Sequence, residues 1–291
     1  HSSLIIFNNI YFKLNMQYIL SLTTTPTRIE KFLDHLELFE AGNKAELVII
    51  NVCSYYRRMN IEFKLENKHQ YRLNDINKKL KRLKYVFNIS SDYGAITKYI
   101  GGITYCKKNK IKNKYIIIVD DDTLYNHNLF NDLIACKDKK NITSGSGFNF
   151  DKTFSYHIVP SGPCQVLEGY CGVAFDLNQI NNDLLKLVEY FKCVDFKYND
   201  HLINDYLKAC IMGDDFIISH RYKHKICIKN GRKMVQPLEY GFQDDALHKN
   251  NIFGSNMKSY KFLFDNLKVL YTFYRKIDLN RQIIKKINII Y

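Results

Sequence analysis

Asp120, Asp121 and Asp122 follow directly on Tyr115-Ile116-Ile117-Ile118-Val119, and this junction is where the chain is best equipped for chemistry. An isoleucine-rich run of that length reads as a strand buried on both faces. Carboxylates at its C-terminal end repel one another and are costly to bury without a positive partner. With strand-like alternation, Asp120 and Asp122 point one way and Asp121 the other. Two oxygen ligands on one side suit a hard divalent cation, Mg²⁺ or Mn²⁺, with positions left open for phosphate oxygens. The plainer alternative is a solvated turn with an Asp cap for a helix beginning near Asn126.

The elements that must position these residues are legible upstream. Gln17 to Leu22 reads as a strand and Thr23-Thr24-Thr25-Pro26-Thr27 as a turn rich in capping residues. A helix follows with Ile29, Phe32, Leu33, Leu36 and Phe39 on one stripe. Glu46 to Val52 and Tyr85 to Ile89 are further strands, and Ile96, Tyr99, Ile100 and Ile103 form another helical stripe. This alternation predicts an α/β fold, a mostly parallel central sheet flanked by helices. Ligands in such sheets sit beyond the C-terminal strand ends. The threonine turn, the Ser90-Ser91-Asp92-Tyr93-Gly94 turn and the aspartate triplet all fall there.

The second half is less regular. Strand-like pieces at Thr143 to Phe150, Tyr156 to Val159 and Gly172 to Phe175 precede helical stretches at Asn178 to Phe191 and His201 to Ile211. Gly213-Asp214-Asp215 interrupts before Phe216-Ile217-Ile218, and from Met257 the chain is basic and amphipathic. The expected organisation is a leader or tag-derived segment over 1–15, a catalytic domain over 16–255 divided near 125, and a helical tail over 256–291. Docking on the domain, dimerisation and contact with an anionic membrane are the roles open to that tail.

At 291 residues, 46% hydrophobic and 25% charged, the composition is that of a globular protein with a sizeable core. The formal charge of +14 invites a nucleic-acid reading. Heavy use of Asn, Lys, Ile and Tyr without Trp instead points to AT-rich coding, with lysines spread over the surface. The densest basic cluster, Lys78 to Lys84, reads first as a solvated face, with a membrane surface or polyanion as the alternative. Eight cysteines without a CxxC pair favour free thiols in a reducing compartment; Cys164 and Cys171 are the one pair worth testing for proximity. No segment is long and apolar enough to span a bilayer, so a cytoplasmic location is expected. His220 and His224 have zinc-like spacing but no evident third ligand, and read as surface.

Taken in order, Ser21-Leu22-Thr23-Thr24-Thr25-Pro26-Thr27-Arg28, Asp92-Tyr93-Gly94-Ala95-Ile96-Thr97-Lys98, the aspartate triplet, Glu168-Gly169-Tyr170-Cys171-Gly172-Val173-Ala174, Gly213-Asp214-Asp215 and Asp244-Asp245-Ala246-Leu247-His248 resemble the landmarks of GT-A fold, family 2-like glycosyltransferases. The small enzymes of large DNA viruses and some bacteria look most similar. The resemblance covers about residues 16 to 250, and Ala95 departs from it where proline is frequent. It implies a nucleotide-sugar donor, a UDP-sugar by preference, and a hydroxyl acceptor on a glycan, protein or small molecule. It further implies Mn²⁺ or Mg²⁺, inversion by single displacement, and no nucleic-acid partner.

Residue by residue, the resemblance implies that Asp122 binds the metal directly and that Asp120 contacts ribose or reaches the metal through water. Asp121 would touch the donor sugar, Asp92 would accept from the base, and Lys98 would lie against base or phosphate. Thr23, Thr25 and Arg28 would line the nucleotide, His248 would complete the metal shell unless Asp244 or Asp245 does so, and Glu168, Gly169 and Asp214 would frame the acceptor, a strand-end turn eased by Gly169 being the plainer role. Loss of a diphosphate needs positive charge on the phosphates, which the metal and basic side chains such as Arg28 supply. Activation of the acceptor hydroxyl needs a carboxylate base, and Asp215, starting a helix whose N-terminus favours its ionised form, is the candidate. A helix cap is the competing role for Asp214 or Asp215. Tyr55-Tyr56-Arg57-Arg58 is either a stacking platform or an exposed loop. The rival functions are a metal-dependent nucleotidyltransferase or nuclease acting on nucleic acid, and a non-catalytic binding protein on a degenerate scaffold.

Overall fold

Period-two alternation of large apolar side chains builds the centre of the molecule. In the computed structural model, which describes residues 18–40, 45–57, 59–80, 83–136, 142–150, 156–180, 182, 185 and 214–239, β1 (Tyr18–Thr23), β2 (Leu47–Cys53), β3 (Lys84–Ser90) and β4 (Tyr115–Ile118) lie in the order β3-β2-β1-β4, all parallel. Ile19, Ile49, Ile116 and Ile118 face one side, and Leu20, Leu22, Val48, Ile50, Ile117 and Val119 face the other. Strands buried on both faces need helices on both faces. Helices α1 (Ile29–Glu40) and α2 (Asn67–Lys79) cover the second side with Ile29, Phe32, Leu33, Leu36, Leu73 and Ile76. Helix α3 (Thr97–Lys108) covers the first with Tyr99, Ile100 and Ile103. Each such side chain contributes about 1.5–3 kcal/mol of transfer free energy.

The change of side between α2 and α3 makes the strand order reverse between β1 and β4. A crevice opens at such a reversal, beyond the carboxyl ends of the strands. The threonine turn leaves β1 there and the aspartate triplet leaves β4.

Past β4 the sheet continues with α4 (His127–Ala135), β5 (Ile142–Ser144), β6 (Gly162–Pro163), β7 (Val173–Asp176), α5 (Asp214–Arg221) and β8 (Lys225–Cys227). The strand order is β4-β7-β5-β8-β6, giving eight strands in all. Strand β7 runs antiparallel to β4 and β5, β5 and β8 are parallel, and β6 is antiparallel to β8. The fold is therefore the expected mostly parallel, Rossmann-like α/β sheet flanked by helices. Strands on both sides of residue 125 share this one sheet. Among the described residues no helix is long and apolar enough to cross a membrane.

Several expectations need adjustment. Thr143 to Phe150 is not one strand. It divides into β5 and Gly147–Phe150, which joins Tyr156–Ile158 and Val166–Leu167 in a small antiparallel sheet. The break falls at Gly145, against whose backbone Gly231 packs so closely that a Cβ on Gly231 would come within 2.4 Å of it. Helix α2 was not anticipated, because it is polar and buries only His69, Leu73 and Ile76. Its basic end is a solvated face: Lys78 and Lys79 are exposed, and Lys78 pairs with Asp75. Helix α5 ends at Arg221, so His220 and His224 share no helical face, and His224 is exposed. The described cysteines are all free, and the thiol hydrogen-bonded to Cys164 belongs to Cys227. The helices expected over most of 178–191 and 201–211, the basic tail, and Asp244, Asp245 and His248 lie outside the described residues.

Candidate functional site

Arg28 closes the turn that leads from β1 into α1, its N–H bonded to the Thr25 carbonyl. Its guanidinium forks across the crevice, Nη1 to Asp121 Oδ1 at 2.8 Å and Nη2 to Asp122 Oδ2 at 2.9 Å. Such a two-pronged, charge-assisted grip fixes direction as well as distance. Strict alternation therefore stops before the triplet: β4 ends at Ile118, the chain turns, and Asp122 swings beside Asp121 on Arg28 instead of following Asp120. The turn is held from outside by the Asp120 N–H donating to the Tyr125 hydroxyl (2.8 Å) and the Leu238 N–H donating to the Asp122 carbonyl (2.7 Å). The segment carrying Leu238 also pairs Val235–Pro237 with Thr123–Tyr125.

Asp120 faces the opposite way and meets Lys98, with Nζ 2.5 Å from Oδ1. Lys98 is buried and reaches a second carboxylate, Asp214 Oδ2, at 3.0 Å. Asp215, next in α5, accepts the Gly169 N–H on Oδ1 at 2.8 Å. Helix α5 is anchored by Ile217 and Ile218 in the core and by the Ser219 hydroxyl, which accepts the Leu167 N–H at 2.8 Å. Residues far apart in sequence thus converge: Arg28, Lys98, the triplet, Gly169, Asp214 and Asp215.

Electrostatics mark the cluster as short of positive charge. Burial, with the charge of Asp122 adding to it and Arg28 opposing it, pushes the Asp121 carboxyl up to about 7. Burial and Asp120 raise Asp122, and burial and Asp214 raise Asp215 well above the usual carboxylate range. The helix N-terminus expected to keep Asp215 ionised is thus outweighed by desolvation and by its neighbour. Burial would lower Lys98, but the charges of Asp120, Asp214 and Asp215 carry it well above its ordinary value, so it stays an ammonium. The carboxylates in the cluster outnumber Arg28 and Lys98, the basic side chains paired with them. A divalent cation fits that imbalance. Lys98 takes one oxygen of Asp120, while the two oxygens of Asp122 accept from Arg28 Nη2 at 2.9 Å and from the Thr123 hydroxyl at 3.3 Å. Among the described residues no group of three or more His, Cys, Asp or Glu side chains is arranged to hold a metal. Two carboxylates with substrate phosphates completing the shell is a usual arrangement for Mg²⁺.

Other expected residues lie on the rim without joining the cluster. The Thr23 hydroxyl donates to the Asn51 carbonyl at 3.1 Å, and the Thr25 hydroxyl pairs with that of Thr27 at 3.0 Å. Asp92, at the end of β3, accepts the Gly94 N–H on one oxygen (2.8 Å) and the Arg57 N–H on the other (2.6 Å), bracing two loops. In the Tyr55-Tyr56-Arg57-Arg58 stretch, Tyr55 is exposed, whereas Tyr56 is buried and donates to the Thr24 carbonyl at 2.8 Å. The Glu168 carboxylate is turned onto the Ser146 hydroxyl, and the Arg232 guanidinium sits 5.7 Å from the centre of the Tyr170 ring. His248, expected in the metal shell, lies outside the described residues. Sequence reasoning missed Tyr125, Ser146 and Ser219, hydroxyls whose partners are brought near only by folding.

Among the described residues, Gly169 is the glycine that borders both Asp215 and Lys98. A Cβ there would stand 2.7 Å from Asp215 Oδ1 and 3.3 Å from Lys98 Nζ. Gly169→Ala should therefore displace Asp215 and lower turnover about a hundredfold, the cost of an ångström-scale misplacement. Turnover measured beside the circular dichroism spectrum checks this, and an unchanged rate would mean that the turn yields freely.

No family model and no curated protein matches this chain. Among solved structures, a 4-diphosphocytidyl-2C-methyl-D-erythritol synthase is similar over 74% of this chain and 89% of its own, at 9% identity and a TM-score of 0.39. The glycosyltransferase GlyE of Streptococcus pneumoniae TIGR4 is similar over 72% of this chain, at 8% identity and a TM-score of 0.36, and this chain spans 45% of its length. Neither likeness bears on substrate or mechanism, which rest on the side chains of the crevice.

Proposed function

We propose that the protein is a metal-dependent glycosyltransferase that moves a sugar from a nucleotide-sugar donor, a UDP-sugar by preference, to a hydroxyl acceptor by inverting single displacement. The observation that carries this reading is the convergence, at the strand-order reversal, of the aspartate triplet gripped by Arg28 with a helix-borne carboxylate, Asp215. The donor half is formed by Arg28 with Asp120, Asp121 and Asp122, and the acceptor half by Asp215 on α5 with the Gly169 turn. A reaction that expels a diphosphate and deprotonates a hydroxyl needs both functions, facing each other across one reacting carbon.

Asp120 and Asp122 would hold Mn²⁺ or Mg²⁺ once turned from Lys98 and Arg28 to a common side, and the metal would supply Lewis-acid stabilisation of the leaving diphosphate. Arg28 is placed to turn from the carboxylates towards phosphate oxygens as the donor enters. Asp121, buried beneath Arg28, orients that guanidinium. In its ionised form Asp215 takes the acceptor proton, and a carboxylate whose proton affinity is raised by its surroundings is a stronger base than an exposed one. The Gly169 N–H holds Asp215 Oδ1 in place and leaves Oδ2 for the hydroxyl.

The test is a thermal-shift panel of UDP-, GDP-, dTDP- and CMP-sugars, each with Mn²⁺ and with chelator. A ligand at a hundred times its Kd stabilises the native state by about 2.7 kcal/mol, which is several degrees in Tm. A metal-dependent rise with UDP-sugars is expected. A response to oligonucleotides and to no nucleotide sugar would overturn the reading in favour of nucleic-acid chemistry.

A further inference from the structure

Lys98 has a placement that a phosphate- or base-binding lysine does not need. Its backbone carbonyl accepts the Ser21 hydroxyl at 2.5 Å, and Ser21 Oγ in turn accepts Asn51 Nδ2 at 2.9 Å. Asn88 Nδ2 bonds Asn51 Oδ1 at 2.8 Å and the Gly101 carbonyl at 3.1 Å. This chain of buried polar groups ties the first turns of α3 to β1, β2 and β3. Gly101 and Gly102 let the helix approach so closely that a Cβ on either would fall within 2.3 Å of Asn51 Oδ1 or Ser21 Oγ. The Lys98 backbone is thus pinned to the donor half of the sheet. Its side chain, 6% exposed, spans Asp120 of the triplet and Asp214 of α5. The Asp214 contact is an ion pair lacking the alignment of a hydrogen bond, so attraction between charges maintains it.

We propose that Lys98 is a positioning residue, which ties the donor-side carboxylate Asp120 to the α5 residue Asp214 and so sets where Asp215 stands relative to the leaving diphosphate. This deepens the glycosyltransferase reading and rests on it for the identity of the reacting groups. Fixing two halves of a site at one separation is worth large factors in rate, because reacting atoms must stay within near-attack distance. The arrangement also reassigns Lys98: its ammonium is committed between two carboxylates and is not held out towards a nucleotide.

Removing Lys98 alone strands buried charge and endangers folding, so the informative protein is the double variant Lys98→Met/Asp214→Asn, which deletes the pair together. It should bind donor with metal within about threefold of the parent affinity yet lose about a hundredfold in kcat. Hydrogen exchange, which needs no substrate, should quicken in the Gly169–Cys171 turn and the first turn of α5 while β1 and β2 stay protected. Loss of donor affinity in proportion to kcat would overturn the proposal by making Lys98 a donor ligand. Unchanged kcat, or unchanged exchange in the turn, would overturn it by showing that no tie exists. Failure of the broader reading is seen separately, in parent protein that neither binds nor turns over any nucleotide sugar while the exchange result still stands.

Discussion

Asp215→Asn should abolish sugar transfer while leaving donor binding and folding intact. The amide keeps an oxygen where Oδ1 accepts the Gly169 N–H at 2.8 Å, so the turn and α5 have no reason to move. What disappears is the proton acceptor, and a positioned general base is worth about 10²–10⁴-fold in rate. Stability separates this outcome from simple damage. Burial and Asp214 raise the Asp215 carboxyl in the native state, so the folded protein holds a proton there that the unfolded chain releases. The associated stability is fully present below the unfolded pKa near 4 and is lost as pH rises through the folded value. Between those two values the unfolded chain gains by ionising at Asp215 what the folded protein does not, and the amide, which cannot ionise in either state, should melt at the same temperature as the parent or higher. Transfer assays with a Mn²⁺-dependent thermal shift on the same preparation decide the matter. Donor affinity falling with activity would place Asp215 in the donor site; retained transfer would leave it a helix cap.

Asp122→Asn should remove the metal dependence of donor binding. Asp122 offers Arg28 one oxygen at 2.9 Å, and Arg28 keeps Asp121 at 2.8 Å when that contact weakens, so the turn survives. A neutral amide lacks the charge with which a carboxylate holds a hard divalent ion, so it binds one more weakly. Lewis-acid stabilisation of a departing phosphate supplies several kcal/mol, so turnover should fall about a thousandfold or more. The thermal shift with donor plus Mn²⁺ should shrink to that seen with donor plus chelator. Melting without ligand should not fall, because burial and Asp120 already penalise the charged form of Asp122. A variant with undiminished Mn²⁺ response would locate the metal elsewhere.

Much of the fold was written in local pattern. The apolar runs of β1, β2, β3 and β4 begin and end within a residue or two of where the sequence places them, as does the stripe of α1, while α3 starts where expected and runs on to Lys108. Such long, strongly patterned elements are buried on the faces their periodicity selects. Helix α2 escaped notice for the same physical reason: with only His69, Leu73 and Ile76 buried, its stripe is too sparse to stand out. The division of Thr143 to Phe150 was equally hidden, since the close approach of Gly231 to Gly145 is a contact between distant segments.

The sequence by itself determined that acidic residues would stand at the carboxyl end of a buried parallel strand, beside turns from the same rim, because strand polarity and alternation are local properties. Tertiary structure alone decided which charges meet. Arg28 takes Asp121 and Asp122 together because the chain turns after β4, and Lys98 meets Asp120 and Asp214 because α3 is drawn onto the sheet through Ser21, Asn51 and two glycines. Asp215 stands at the cluster because Ile217, Ile218 and Ser219 anchor α5 beside the Gly169 turn. Ion pairs of this kind join residues separated by 22 positions or more, and no periodicity records them. They are set by how the layers pack.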